Sequence, residues 1–334
     1  MAEVADVERI VSPKAAPSAR ELKTHNHLIG NLAALDEAWE QDGYWFFRDV
    51  LDKDAVGRLR ATFVEELELQ GVIDPVGTAP TDRSVRYNGA SLANYPFRME
   101  PLVVRQPWRA FVAEKPINDF FTRLFGDEPF WVPAVEYRAT PPSQDPARSR
   151  LDGIHQDGPY SPGIPFRICW IPLAEIDEDI GGLMCAEGLA ADKNNFHPQD
   201  DDGSNSMIPV EKFPADCWRR TTYQAGDVLL MNLWTPHTGL SNVSDRFRLS
   251  LDHRVMAKRD KCPIVGEVES IAPDRVEVRD GSGVTPLRIE PDTYVRNHMG
   301  EKLSGEQIVD YYKPGSPVII AHDDDLATVV RPPH

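Results

Sequence analysis

Three residues whose side chains bind divalent metal ions stand out in the sequence: His155, Asp157 and the distant His237. In an extended strand, residues i and i+2 point to the same side, so His155 and Asp157 can reach one ion while Gln156 faces away. Two imidazoles and one carboxylate leave open coordination positions on iron(II), which is the ligand set of non-haem iron oxygenases. The pattern therefore predicts a metal centre that reacts with O2.

A candidate anion clamp follows His237 by eleven positions. Between residues 246 and 253, Arg246, Arg248 and Ser250 alternate with apolar residues, so they share one face of a predicted strand. An arginine beside a hydroxyl suits a carboxylate, because the guanidinium fork binds it bidentately and the hydroxyl donates a further hydrogen bond. Arg248 is predicted to be the clamp, with Ser250 as its partner. The rival Arg246 is interpreted as a structural or solvated charge.

The other histidines do not fit this pattern. His237 comes just after residues 226–234, where a Gly-Asp turn runs into an apolar stretch that predicts a buried strand. His253 has no arginine nine to eleven positions later, and a second His-x-Asp tripeptide at His322 is followed by too few residues for another strand and clamp. The remaining histidines are interpreted as ordinary surface residues: His25, His27, His197 and His298.

These motifs make the chain resemble the phytanoyl-CoA dioxygenase family of iron(II)/2-oxoglutarate oxygenases over roughly residues 33 to 257. The similar features are His155-Gln156-Asp157, Trp170 in the strand Phe166 to Leu173, the turn Gly181 to Met184, Gly226 to Leu230, and His237 through Arg248. In one departure, Ala186 to Ala190 stands where many members read Pro-Gly-Ser-His. The departure concerns substrate contacts on the lid side, not the metal site.

The resemblance implies that His155, Asp157 and His237 bind Fe(II), and that Arg248 with Ser250 binds the distal carboxylate of 2-oxoglutarate. With O2, such a site would hydroxylate a C–H bond and release succinate and CO2. Related halogenases have Gly or Ala where Asp157 stands, so halogenation is disfavoured. Desaturation, epoxidation and ring rearrangement use the same ligands and stay open.

Two alternatives use the same residues differently. A zinc-dependent hydrolase could bind its metal through His155, Asp157 and His237, with a metal-bound water as nucleophile. Against it, the sequence shows no general base such as the Glu of an HExxH motif, and Arg248 would lack a role. A catalytically silent jelly-roll binding protein is disfavoured because all three ligands and the clamp are present.

Three further residues are candidates for the walls of the site. Tyr137 precedes the loop that leads to His155 and could bond the carboxylate of the cosubstrate. Trp170 could line the pocket, and Asn232 could form a hydrogen bond near the iron. Each also has an ordinary structural interpretation, as a core aromatic for Tyr137 and Trp170 and as a polar strand-end residue for Asn232.

Composition disfavours several kinds of partner. The net charge of −17 argues against nucleic acid and against an anionic membrane surface. No apolar run approaches the roughly 20 residues that span a bilayer, and Met1 to Lys14 has no signal-peptide core, so a cytoplasmic enzyme with a small-molecule substrate is expected. The four cysteines lack CxxC spacing and predict neither a zinc site nor a disulfide framework, with Cys169 and Cys185 as core thiols.

The chain is expected to fold as one catalytic domain with two extensions. Residues 1–30 are interpreted as a flexible arm, and residues 31–260 as a mainly β, double-stranded β-helix (jelly-roll) domain with buttressing helices near its start. Residues 261–334 are interpreted as an α+β extension, with a hairpin at Asp280-Gly281 and a short helix through Tyr312. This extension is expected to pack on the core, with covering the site or a homodimer contact as further roles.

Two polar segments are expected to border the active site: residues 140–150, which lead into His155, and residues 192–206, the favoured lid. Helices are predicted over about residues 31–41 and 53–70, with an aromatic strand from Tyr44 to Val50 between them.

Overall fold

The computed structural model describes residues 19–74, 85–95, 99–143, 153–161, 163–190, 194–198 and 207–333. The first 18 residues of the predicted arm and most of the two polar segments lie outside these ranges. The chain divides into two compact units. Unit 1 comprises Met1–Gly126, Glu136–Asp157 and Ile168–Asp252, and unit 2 comprises Asp127–Val135, Gly158–Arg167 and His253–His334.

The two predicted N-terminal helices are confirmed. Helix α1 spans Leu32–Asp42, where the Asn31 side chain accepts a hydrogen bond from the backbone of Ala34 and Gly43 ends the helix at φ +80°. Helix α2 spans Lys53–Leu69 and begins at the capping carboxylate of Asp52. The other helices are α3 (Glu100–Arg105), α4 (Trp108–Ala113), α5 (Lys115–Phe125) and α6 (Glu306–Tyr311). Short 3-10 helices occur at Asn26–Leu28, Gly158–Tyr160 and Val210–Lys212.

The first nine strands form two sheets. Their bounds are β1 (Arg20–Glu21), β2 (Tyr44–Phe47), β3 (Pro129–Thr140), β4 (Arg167–Pro172), β5 (Gly182–Ala186), β6 (Trp218–Arg220), β7 (Val228–Met231), β8 (His237–Leu240) and β9 (Arg248–Ala257). One sheet has the order β2-β7-β4-β9-β3 and the other β1-β6-β5-β8. Because β4 to β9 pass back and forth between these sheets, the chain folds as the predicted jelly roll.

The strand β7 lies inside the first of these sheets. It pairs antiparallel with β2 on one side and with β4 on the other. All four of its residues are buried, as the apolar sequence before His237 predicts. The predicted core thiols Cys169 and Cys185 are also buried, and burial raises the pKa of each.

Unit 2 contains a six-stranded sheet of its own, with the order β12-β11-β10-β14-β15-β13. The strands are β10 (Ile264–Ala272), β11 (Arg275–Asp280), β12 (Gly283–Arg288), β13 (Tyr294–Val295), β14 (Pro317–Asp323) and β15 (Leu326–Arg331). The predicted hairpin is confirmed, since β11 and β12 pair antiparallel up to Asp280 and Gly283. The apolar core beside this six-stranded sheet includes Val276, Val278, Val318 and Ile320. None of the helices in the described ranges has the length and apolarity that crossing a membrane requires.

Candidate active site

The structure brings the three predicted metal ligands together. One ligand atom from each of His155, Asp157 and His237 lies within 4.8 Å of the others. Nε2 of His155 is 3.5 Å from Oδ1 of Asp157, and the centroids of the two imidazole rings are 4.3 Å apart. Donor atoms at about 2.1 Å from one ion lie roughly 3–3.5 Å from each other, so the first of these distances already suits a shared metal.

Backbone hydrogen bonds fix the two histidines side by side. His155 and His237 form an antiparallel bridge, in which the backbone N of His155 lies 3.0 Å from the carbonyl oxygen of His237 and the backbone N of His237 lies 2.9 Å from that of His155. Nδ1 of His155 lies 2.8 Å from the carbonyl oxygen of Gly153, and Nδ1 of His237 lies 3.0 Å from that of Thr235. Because a carbonyl oxygen only accepts, each Nδ1 carries a proton, and Nε2 is the ring nitrogen left to coordinate a metal. Hydrogen bonds of this kind orient metal-binding histidines.

Gln156 anchors the segment between the two ligands. Its side chain is fully buried, with Nε2 donating to the carbonyl oxygens of Asn194 at 2.8 Å and Trp234 at 2.7 Å. Its Oε1 accepts from the backbone of Phe196 at 2.8 Å, and its own N–H donates to Nε2 of His197 at 2.9 Å. The ligand-bearing segment is thereby tied to the segment that precedes His237 and to residues 194–197.

Two histidines that the sequence analysis places on the surface are buried, so that interpretation is wrong for both. His197 is 5% exposed and accepts the Gln156 N–H. His25 is 3% exposed, its Nδ1 accepts from the backbone of Phe46, and its Nε2 lies 3.1 Å from Oδ2 of Asp42. A single sequence does not show the packing partner of a histidine, and burial depends on that partner.

Replacing Gln156 with leucine is expected to weaken the metal site. The change removes the partner of three backbone groups, and each lost hydrogen bond in a buried place costs about 1–3 kcal/mol. We expect a lower Tm and at least about 10-fold weaker iron(II) binding, the effect that loss of an outer-shell partner has at metal sites. An anaerobic iron(II) titration measures this. Gln41→Leu, at an exposed position, is the matched control, and equal iron affinity in both variants would contradict the anchoring role.

Arg248 is a buried cation with an incomplete set of partners. It is 3% exposed, and its Nη1 donates to the carbonyl oxygens of Gly182 at 3.1 Å and Leu240 at 3.4 Å. Its Nη2 lies 3.4 Å from the Thr140 hydroxyl, while its Nε has no partner among the described residues. Burial, together with the charge of Arg138, lowers the pKa of Arg248 to about 10. The charged guanidinium therefore lacks a compensating anion from the described part of the chain.

The surroundings of Arg248 fit the distal carboxylate of a dicarboxylate. Ser250 lies two residues later on the same strand face, is fully buried, and its hydroxyl has no partner within the described ranges. A carboxylate on the guanidinium fork would neutralise the charge and accept from this hydroxyl. Strand β8 carries His237 at one end and Leu240 at the other, roughly 10 Å away. One small molecule can therefore contact both the metal group and Arg248, which is what 2-oxoglutarate requires.

Gly181 and Gly182 allow the backbone to approach Arg248. Both have positive φ, +98° and +97°. A Cβ on Gly181 would lie 2.6 Å from the carbonyl oxygen of Leu240 and 2.9 Å from that of Ser241, so no side chain fits there. The carbonyl oxygen of Gly182 is the acceptor for Arg248 Nη1. The turn that the sequence analysis singled out thus supports the clamp.

Gly181→Ala is expected to destabilise the protein and the clamp together. The left-handed conformation costs an alanine about 1–2 kcal/mol, and the contact with the Leu240 carbonyl forces a backbone shift in addition. We expect a lower Tm and a higher KM for 2-oxoglutarate. Gly281→Ala is the control, because a Cβ there has nothing within 4 Å. If both variants have the wild-type Tm, the close approach at Gly181 does not matter.

The three remaining candidates lie at different distances from the clamp. The ring of Tyr137 packs against Phe63, with centroids 5.7 Å apart, and burial raises the pKa of Tyr137. Strand alternation puts Tyr137 on the face opposite to Thr140, so the structure does not bring it to Arg248. The ring of Trp170 packs against Tyr223 at 4.7 Å, and Tyr223 is an electrostatic neighbour of Arg248. Trp170 is therefore separated from the clamp by one side chain.

Asn232 shapes the turn that precedes His237. Its carbonyl oxygen accepts from the backbone of Thr235 at 2.9 Å, and its Oδ1 accepts from the backbone of Trp234 at 3.0 Å. Thr235 in turn supplies the carbonyl that fixes the His237 ring. Asn232 therefore helps to orient the His237 ring indirectly, through the turn that contains Thr235.

Thr140 and Arg138 were not among the site residues predicted from the sequence. Thr140 contacts Arg248, and Arg138 shares its strand face and is close enough to lower the pKa of Arg248. The signal was present in the alternation along β3, where Tyr137 and Ala139 are buried and Arg138 and Thr140 are partly exposed.

A site with three protein ligands, open metal positions and an anchor for a dicarboxylate defines an iron(II)/2-oxoglutarate-dependent oxygenase. Within this class, the chain belongs to the phytanoyl-CoA dioxygenase (PhyH) family, whose family model matches residues 39–250. Asp157 and Arg248, the predicted ligand and the predicted clamp, both lie inside the matched span.

Similar proteins are known from Streptomyces. The "1-deoxypentalenic acid 11-beta-hydroxylase" of Streptomyces exfoliatus is 27% identical over 240 residues, which cover 68% of this chain and 82% of the relative. The protein of the same name from Streptomyces arenae is 28% identical over the same coverage.

Solved structures also match. The epimerase SnoN in complex with Fe3+, alpha ketoglutarate and nogalamycin RO is 18% identical, covers 68% of this chain and 85% of that chain, and has a TM-score of 0.41. EctD from S. alaskensis with 2-oxoglutarate and 5-hydroxyectoine is 18% identical, covers 78% and 86%, and has a TM-score of 0.46.

Proposed function

We propose that this oxygenase hydroxylates an unactivated C–H bond of a small organic molecule in specialised metabolism, with release of succinate and CO2. The observation that carries the proposal is the grouping of His155, Asp157 and His237 within 4.8 Å on a scaffold that also presents the buried Arg248. The Streptomyces relatives named as hydroxylases of 1-deoxypentalenic acid support hydroxylation as the outcome.

Bound iron(II) and 2-oxoglutarate supply the oxidising chemistry, and the chain supplies position, charge and exclusion of water. His155 and His237 would bind the metal through Nε2, because each Nδ1 donates its proton to a backbone carbonyl. Asp157 contributes the negative charge of the ligand set. Arg248 and Ser250 hold the far end of the cosubstrate in a buried place, where a charge-assisted hydrogen bond is stronger than in water.

The alternatives account for fewer of these groups. A zinc hydrolase uses a metal-bound water and a general base, and leaves the buried Arg248 guanidinium and the Ser250 hydroxyl without a ligand. A silent binding protein has no use for neutral histidines preset to coordinate a metal. The carboxylate of Asp157 disfavours halogenation, since it takes the position that chloride needs.

Anaerobic addition of iron(II) and 2-oxoglutarate tests the class of chemistry. The oxygenase should develop a weak charge-transfer absorption band in the visible region, which requires iron and the chelating cosubstrate together. Zinc(II) with 2-oxoglutarate is the matched control and should give no band. Iron binding without a band after 2-oxoglutarate is added would contradict the proposal.

The substrate is best sought among small organic acids. Arg138 is a partly exposed cation on the same strand face as Thr140, and the hydroxylase relatives are named for a carboxylic acid. A panel of such acids, each paired with its neutral amide or ester, should be screened for succinate release and for gain of one oxygen atom in the product. Turnover of the neutral partners at the same rate would argue against recognition of the carboxylate.

Two expectations from the sequence remain predictions. The first is a cytoplasmic location, which fractionation of the producing cells would test. The second is a homodimer contact through residues 261–334, which sedimentation of the full chain and of a surface variant in this segment would test.

A further inference from the structure

Unit 2 contains a buried arginine that has no counter-ion among the described residues. Arg331, the last residue of β15, is 3% exposed. Its Nη1 lies 3.4 Å from the Ser161 hydroxyl and its Nε 3.5 Å from the carbonyl oxygen of Pro332, both long for hydrogen bonds. Its Nη2 is buried without a partner among the described residues. A buried charge in this state is unfavourable, so a compensating anion is expected.

A second arginine lies beside it in the sheet. Strands β13 and β15 run parallel, with Tyr294 opposite Val329 and Val295 opposite Val330. The backbone N–H of Arg296 donates to the carbonyl of Val330 at 3.0 Å, so the same register places Arg296 next to Arg331. Arg296 is 8% exposed. Like charges on neighbouring strands repel, so an anion bound beside both guanidinium groups would stabilise this arrangement.

The electrostatics of Arg331 indicate the same need. Burial, with the charges of Arg296 and Arg254, lowers the pKa of Arg331 to about 9. Tyr312 and Tyr294 act in the opposite direction. The three arginines also lie beyond residue 250, where the match to the family model ends.

We propose that unit 2 binds a small oxyanion, a carboxylate or a phosphate group, in a site built from Arg331 and Arg296 beside the Ser161 hydroxyl. Guanidinium forks bind both groups bidentately, and Ser161 adds a neutral donor. This site is separate from the Arg248 clamp in its residues and does not depend on the reaction that the iron centre catalyses.

Thermal unfolding of the iron(II)-loaded protein, without added 2-oxoglutarate, tests the site without a known ligand. Inorganic phosphate and acetate are titrated separately under anaerobic conditions, with chloride at equal ionic strength as the reference. A ligand at about five times its Kd should raise Tm by roughly 2–4 °C. A larger rise with phosphate assigns the site to phosphate groups, and a larger rise with acetate assigns it to carboxylates. No rise beyond that with chloride would overturn the proposal.

Variants locate the effect. Arg331→Gln and Arg296→Gln should each lose most of the anion-dependent rise, and Arg275→Gln should keep it, because Arg275 is an exposed residue of the same unit. Arg331→Gln should also unfold no earlier than the wild type in anion-free buffer, since it removes an uncompensated buried charge, whereas loss of a purely structural arginine would lower Tm. If Arg331→Gln does not fold, Arg296→Gln decides alone. A wild-type rise in the folded variants would place the anion elsewhere and refute the site.

Discussion

His237→Ala is expected to abolish iron-dependent turnover while the protein stays folded. The imidazole is one of three proposed ligands, and its removal would leave His155 and Asp157 to bind the ion alone. Loss of an outer-shell partner alone lowers metal affinity by about 10- to 100-fold, so loss of a ligand should lower it by more than about 100-fold. The backbone bridge between residues 155 and 237 does not involve the ring and should persist. Anaerobic iron(II) titration and succinate release measure the two effects.

His27→Ala is the matched control for this prediction, because His27 is exposed and lies in a short 3-10 helix. Circular dichroism of both variants separates loss of the metal from loss of the fold. A folded His237→Ala variant that binds iron(II) as tightly as the His27→Ala variant would remove His237 from the ligand set, and with it the basis of the proposed chemistry.

Helices with recognisable capping residues or regular apolar spacing could be predicted from the sequence alone. Asn31 and Gly43 mark the two ends of α1, and the apolar spacing of Val56, Leu59 and Phe63 identifies α2. Helices α3 and α4 have six residues each, and non-glycine residues in the left-handed conformation flank α3 at Met99 and Gln106. Such short helices depend on tertiary packing, which no local pattern encodes.

The candidate ligands could be chosen from the sequence because chemistry restricts their types and a strand restricts their spacing. His155 and Asp157 lie two residues apart on one face, and Arg248 and Ser250 repeat that relation. The neighbours of these groups could not be chosen from the sequence. Alternation divides β3 into two faces, but only the packed structure shows that Thr140, not Tyr137, faces Arg248.

Arg248→Gln is expected to weaken 2-oxoglutarate binding without weakening the fold. The charge-assisted pair with the distal carboxylate is worth about 1.5–3 kcal/mol, which corresponds to a roughly 10- to 150-fold higher Kd. In the absence of cosubstrate, the wild type carries a buried guanidinium without an anion, so its removal should leave Tm unchanged or slightly higher. The rise in Tm that 2-oxoglutarate gives the wild type should largely disappear in the variant.

Arg246→Gln, two residues away, is the control and is expected to change stability slightly but not the binding of 2-oxoglutarate. Arg246 pairs with Asp177 at 2.6 Å, and both side chains are partly exposed, so its loss should lower the free energy of unfolding by at most about 1 kcal/mol. The Kd for 2-oxoglutarate should not change. Arg248→Lys keeps the charge but loses the bidentate fork, and its Kd should fall between those of the wild type and Arg248→Gln. If Arg246→Gln weakens cosubstrate binding and Arg248→Gln does not, the clamp is Arg246, and the orphaned groups at Arg248 and Ser250 require another ligand.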